Sequence, residues 1–277
     1  MRLLVTNDDG IDAPGIAYLV QAMETIGEVV VVAPDREFSG ASQSVGSLMH
    51  TTPSIRKRRF PGADHAWAVS GPPALCVLYA NLGLFGQAPD LVVSGINPGA
   101  NIGRSVYHSG TLGACLSARN CGWSGVAISQ AAPVGAAADG QAFVETRALQ
   151  KWEVAAEVAH AYVAALVNDL PDDPVVVNLN VPNEELGDIV GWRVTDVSPH
   201  PAGIMSDPVL VPRDDDPEAF DVNVAWTRAR DEPDTTDTGA VRAGYVSISY
   251  ISRLTHEARP DVAGAEGALA GLLGARR

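Results

Sequence analysis

Cysteine is scarce: the chain has three in 277 residues, Cys76, Cys115 and Cys121. They form no CxxC pair and no zinc-ligand spacing. That argues against a disulfide framework and a zinc ribbon, and a reducing, cytoplasmic setting is expected. Positive charge is also short. Nineteen Lys and Arg stand against thirty-three Asp and Glu, a formal net charge of −14. A surface of that sign does not attract nucleic-acid polymers or anionic membranes. It does not attract small anions either, so a phosphate-bearing ligand needs a cation supplied locally. Long apolar runs are missing. The first, residues 3–6, is too short for a signal-peptide core, and no later run reaches membrane-spanning length. Three catalytic fingerprints are absent as well: no GxSxG elbow, no GxGxxG in the first turn, and no Gly-Lys-Ser/Thr of a P-loop.

What is present is a substantial apolar complement, 46% of residues, in a length that suits one large α/β domain or one domain with an appendage. Residues 3–5 read as a buried strand. "PGIAYLVQAMETIG" follows, with Ile16, Leu19, Val20 and Met23 at helical spacing and Pro14 suited to a first helical turn. "EVVVVAPD" is a second, β-branched strand. The pattern resumes after residue 70: helix in "PPALCVLYANLG", strand in "DLVVSG", helix in "TLGACLSARNCG", strand in "GVAIS", a long helix over 152–170, and strand in "PVVVNLNV". Near-continuous apolar strands alternating with helices predict a mostly parallel sheet covered on both faces. Residues 1–182 are therefore read as a doubly wound core, with a β-excursion near 48–69 and an Ala/Gly-rich surface loop at 131–142.

Composition changes beyond that point. Residues 198–239 are rich in Asp, Pro and Thr and show little periodicity. "WRVTDVS" and "GYVSISYI" flank them as strands. Residues 183–277 are expected to form a smaller, β-rich C-terminal region. The Gly-rich tail suggests no confident helix.

In open parallel sheets, ligands bind beyond the carboxyl ends of the strands. The first strand exits into Asn7-Asp8-Asp9-Gly10, the second into "APDREFSGASQS", and a later one into "SGINPGANIGRS". Adjacent carboxylates repel, so holding both ionised calls for a compensating cation. Hard oxygens of this kind suit Mg²⁺ or Mn²⁺, although Asp and Gly also simply favour turns. In the third loop the glycines permit close approach to a ligand, and Asn97 and Asn101 offer amide groups. "HSGTLGA" sets Ser109, Gly110 and Thr111 just before a helical run. That position suits an anion or an ordinary N-cap. His108 is the one histidine of this loop set.

"TNDDGIDAPGI", "VVAPDREFSG", "PDLVVSGINPGANIG" and "YHSGTLGA", in that order, resemble the SurE family of stationary-phase survival proteins, which are metal-dependent 5′-nucleotidases. "VVVNLNVP" and "TDTGAVRAGYVSISYI" match its later blocks. The resemblance implies a Rossmann-like three-layer αβα core with an extended C-terminal arm that joins subunits into homodimers or homotetramers. It implies one divalent ion per subunit (Mg²⁺, Mn²⁺ or Co²⁺) held by Asp8, Asp9, Ser39 and Asn97, with Asp8 and Asp9 catalytic. Asn7, Gly40 and the Ser109-Gly110-Thr111 loop would hold phosphate oxygens.

The implied activity is hydrolysis of nucleoside 5′-monophosphates. A specialised phosphorylated metabolite, or metal and nucleotide binding with little turnover, are the alternatives. Phe38, Gly46, Leu75 and Ser117 depart from the family's usual residues. An altered or narrowed preference among nucleotides is expected from them.

Overall fold

The computed structural model describes residues 1–46, 52–133, 147–216, 218–228 and 230–252, with isolated positions 261, 263–265, 268 and 272 beyond. Strand β1 (Arg2–Thr6) leads into helix α1 (Pro14–Met23) and β2 (Glu28–Pro34). Then come β3 (Ile55–Arg58), β4 (His65–Val69), α2 (Pro73–Asn81) and β5 (Leu91–Pro98). After them run α3 (Gly110–Asn120), β6 (Ser124–Gln130), α4 (Trp152–Leu166) and β7 (Val176–Val181). The C-terminal part adds β8 (Gly191–Val194), β9 (Gly203–Pro212), β10 (Phe220–Arg228), α5 (Asp237–Arg242) and β11 (Tyr245–Tyr250).

Nine strands form one sheet in the order β3-β4-β2-β1-β5-β6-β7-β11-β8. All neighbours run parallel except β3 with β4 and β7 with β11. The sheet explains the uninterrupted apolar strands. Leu3, Val5, Val29 and Val31 pack towards α1 and α4, while Leu4, Val30 and Val32 pack towards α2. Alternate residues point to opposite faces, so strands covered on both sides need apolar residues at every position.

The β-excursion expected near 48–69 extends the sheet edge as β3 and β4, its first residues lying outside the described set. The helix expected over 152–170 ends earlier, at Leu166. Most of the 131–142 loop and almost all of the tail after residue 252 lie outside the described residues. Beyond residue 182 the chain returns to the main sheet through β8 and β11. Between them, the stretch read as irregular contains a two-stranded antiparallel hairpin, β9–β10.

The order of strands also locates the ligand edge. From β1 the chain moves outward through β2 and β4. It then returns to the other side of β1 as β5 and proceeds through β6 to β7. The β1/β5 boundary is thus the point where the winding reverses, and the loops leaving β1 and β5 diverge around a crevice.

Candidate active site

Asn7, Asp8 and Asp9 leave β1 at that boundary, and all three are buried. Asn7 Nδ2 donates to the carbonyl of Gly10 at 2.8 Å and so closes the turn. The loop after β2 is fastened beside it: the Phe38 amide donates to the Asp8 carbonyl at 2.7 Å. The loop before α3 is fastened to both. The Ser42 amide donates to the His108 carbonyl at 3.1 Å. A Cβ on Gly113 would stand 2.1 Å from the Ser42 carbonyl oxygen, so only glycine lets the helix approach that closely.

Asp8 lies at the N-terminus of α3. Its Oδ1 accepts from the Thr111 hydroxyl at 2.6 Å, and the nearby backbone N–H groups of Gly110 and Thr111 favour its charged form. A Cβ on Gly110 would meet the Asp8 Cβ at 2.8 Å. The dipole and free N–H groups of a helix terminus favour a negative group there, and Asp8 stands at this one through the Thr111 hydroxyl. Burial nevertheless raises the Asp8 carboxyl above its ordinary range, with these hydrogen bonds opposing.

Asp9 has different neighbours. Arg147 Nη2 donates to its Oδ1 at 2.8 Å and lies 3.4 Å from Glu37 Oε2. Its Oδ2 is buried with no partner among the described residues, as is Asn7 Oδ1. The Asp9 carboxyl is pushed up to about 7. Burial is the main cause and repulsion from Asp8 the second, with Arg147 opposing and Glu37 adding.

Ser39 is exposed, and its hydroxyl donates to Glu37 Oε1 at 2.8 Å. Asn97, near the end of β5, donates from Nδ2 to the Gly99 carbonyl at 2.6 Å. That bond leaves Oδ1 as the accepting end of the amide. Pro98, next in the chain, shares a small crevice with Asp9, Arg147 and Trp152. Ser109 is the N-cap of α3, its Oγ accepting from the Leu112 amide at 3.0 Å. Gly40 is exposed, with open space beside its Cα.

Asn101 is bonded within the protein. Its side chain and backbone bond Ser129, Asn178 and Asn180 at 2.8–3.2 Å and pin the loop to β6 and β7. Asp237 pins the same loop from α5, accepting from the Gly103 amide at 2.9 Å and the Ser198 amide at 3.0 Å. The side chain of Ser117 bonds back to Gly113 within its own helix at 2.9 Å. His108 is exposed at the rim.

Arg147 and Glu37 were not singled out by sequence reasoning. Glu37 is two residues from Ser39 in a loop already of interest. Arg147 follows a long Ala/Gly-rich stretch and carries no local motif.

A divalent cation suits this donor set. Two buried carboxylates repel each other, two buried amide or carboxylate oxygens lack partners, and the remaining donors are neutral oxygens. All are hard ligands of the type Mg²⁺ and Mn²⁺ prefer. Among the described residues no cluster of three or more His, Cys, Asp and Glu forms a cage, so neutral oxygens would have to complete the shell.

A family model described as "Survival protein SurE" matches residues 3–202. A 5′-nucleotidase SurE of Xanthomonas campestris pv. campestris (strain 8004) is 39% identical over 283 aligned positions, covering 99% of each chain. The 5′-nucleotidase SurE of Haemophilus influenzae is 36% identical over 91% of each. The crystal structure of the SurE protein from Aquifex aeolicus superposes with a TM-score of 0.73 at 26% identity, covering 99% of this chain and all of that one.

Proposed function

The chain belongs to the SurE family, and from that premise we propose that it is a 5′-nucleotidase. It hydrolyses nucleoside 5′-monophosphates to nucleoside and phosphate with one divalent ion per subunit. The observation that carries this reading is the buried Asp8–Asp9 pair at the sheet's reversal point, with Asp9 Oδ2 left without a partner.

Asp8, Asp9, Ser39 and Asn97 would hold the ion. When bound, it would supply Lewis acidity towards a phosphoryl oxygen and a water acidic enough to attack. The chain's own groups divide the remaining work. Asp8 is locked by the Thr111 hydroxyl at the N-terminus of α3 and serves as a fixed carboxylate. Asp9 Oδ1 is held by Arg147, so its unpartnered Oδ2 is the oxygen that would face the ion. Arg147 is the local cation that an acidic protein needs in order to admit a phosphate, and its guanidinium can donate to a phosphoryl oxygen. Asn7, Gly40 and the Ser109-Gly110-Thr111 loop would line the phosphate. Ser109 accepts from the helix and retains its own hydroxyl hydrogen to donate.

The proposal extends to a cytoplasmic homo-oligomer. Hairpin β9–β10 exposes Met205, Val209, Leu210, Phe220 and Val222. A two-stranded ribbon is marginal alone in water, and a second subunit would cover it. Among the described residues no helix is long and apolar enough to cross a membrane.

Phosphate release across a panel of phosphomonoesters tests the function. Release from nucleoside 5′-monophosphates should stop in excess EDTA and return with Mg²⁺, Mn²⁺ or Co²⁺. Full activity in chelator would sink the metal assignment. No release from any nucleotide under any metal would sink the nucleotidase reading.

A further inference from the structure

A cavity of about 320 Å³ opens beside the candidate site, lined by Arg36, Phe38, Val45, Pro53, Ser70 and Leu75 among others. We propose that this cavity is the leaving-group subsite and that it takes a 6-oxopurine base. The proposal rests on the nucleotidase reading and adds the substrate class.

Position is the first argument. Phe38 immediately precedes Ser39 and Gly40, and its amide is bonded to the Asp8 carbonyl. A substrate with its phosphate at those residues has this cavity as a neighbour. Size is the second: the volume falls at the lower end of small-molecule sites, about 300–1,000 Å³, which suits one base.

Chemistry is the third. The Phe38 ring carries the Arg36 guanidinium over it, Cζ standing 4.7 Å from the ring centroid. An aromatic ring and a planar guanidinium are both surfaces on which bases stack. Val45, Pro53 and Leu75 supply apolar walls. The polar lining is rich in donors. Arg36 is the sole charged residue of the lining among the described residues; its Nη1 pairs with Asp35 Oδ1 at 3.2 Å, which leaves Nε and Nη2 as the edge that can donate. Ser70 Oγ accepts from the Ser54 amide at 2.6 Å and the Ser54 hydroxyl at 3.2 Å, so its own hydrogen is left to donate. Donors call for an edge of acceptors. O6 and N7 of guanine or hypoxanthine both accept and match arginine bidentately, whereas adenine offers N7 with a competing amino donor.

A larger groove of about 570 Å³ runs beside α1, but the carboxylates of Asp12 and Glu24 line it together with Arg58 and Arg59, so it lacks the donor-only lining. Arg59 in that groove serves as the control.

The test measures kcat/KM for guanosine 5′-monophosphate, adenosine 5′-monophosphate and ribose 5-phosphate, together with guanosine binding by calorimetry in excess chelator. Arg36 is 64% exposed, so its removal should not disturb folding. Wild type should favour the guanosine nucleotide over both adenosine 5′-monophosphate and ribose 5-phosphate, and equal kcat/KM for the two nucleotides would overturn the 6-oxopurine assignment. Arg36→Ala should cut that preference and the guanosine affinity roughly tenfold, the scale of one bidentate contact. Phe38→Leu should weaken guanosine binding, and Arg59→Ala should change neither quantity. Equal kcat/KM for the guanosine nucleotide and ribose 5-phosphate would overturn the subsite, as would guanosine affinity unaffected by Arg36→Ala. If no phosphate is released while guanosine still binds through Arg36, the nucleotidase reading fails and the subsite stands.

Discussion

Asp8 and Asp9 are chemically identical neighbours with different surroundings, and their variants should differ accordingly. Asp8→Asn and Asp9→Asn should each lower kcat by about two or more orders of magnitude, the scale of a lost proton acceptor or electrostatic contact. Steady-state phosphate release checks this. Thr111→Val removes the hydroxyl held 2.6 Å from Asp8. A hydrogen bond to a charged group is worth about 1.5–3 kcal/mol, so a loss of that order should appear in denaturant unfolding.

Asp9 also sets a pH dependence. Its carboxyl lies at about 7 in the folded chain, above the ordinary 3.8. Between those values the folded state binds the proton more tightly than the unfolded one. Stability of the metal-free protein should therefore fall as pH rises from 4 to 7, by up to about 1.4 kcal/mol per unit for one proton, and level off above. Asp9→Asn should reduce that slope in chelator, with the raised Asp8 carboxyl supplying the same sign of slope that remains. An unchanged slope would contradict the assignment.

At the scale of elements, the site depends on three loops being held together by close backbone approach. Gly113 is the clearest case. Gly113→Ala would drive a Cβ into the Ser42 carbonyl and push the Ser39–Ser42 loop away from β1. Weaker metal binding with α3 still folded is expected, measured by Mn²⁺ titration alongside circular dichroism.

The strands and helices of the core were legible because burial on both sheet faces writes continuous apolar runs, and the loops because Asn7-Asp8-Asp9-Gly10 and the glycine-rich exits stand out. The partners within the site were not. That the Thr111 hydroxyl holds Asp8, or that Asn101 is a rivet to β6 and β7, depends on which tertiary neighbour arrives. Spacing along the chain does not contain that. Arg147 was invisible for the same reason, since its role comes from being folded back onto Asp9. Hairpin β9–β10 was hidden because both its faces are exposed, so its sequence lacks the apolar/polar alternation of a half-buried strand.

At the scale of the whole molecule, the hairpin exposes apolar side chains that one subunit does not cover. Gly203 pairs with Arg228 at the hairpin's base, so residues 204–227 can be replaced by a short turn. Asp237 and its anchoring of Gly103 are then left intact. Light scattering should show an oligomer for wild type and a monomer for the deletion. A wild type that is monomeric at micromolar concentration would contradict the oligomer. We propose that one divalent ion held at Asp8 and Asp9 makes the chain a nucleotidase. It is tested most directly by titrating Mn²⁺ into the metal-free protein while following bound metal and phosphate release from a nucleoside 5′-monophosphate together. The account predicts that both saturate at one ion per subunit and that Asp9→Asn loses both. Turnover that proceeds without bound metal, or one-to-one binding that Asp9→Asn leaves unchanged, would contradict it.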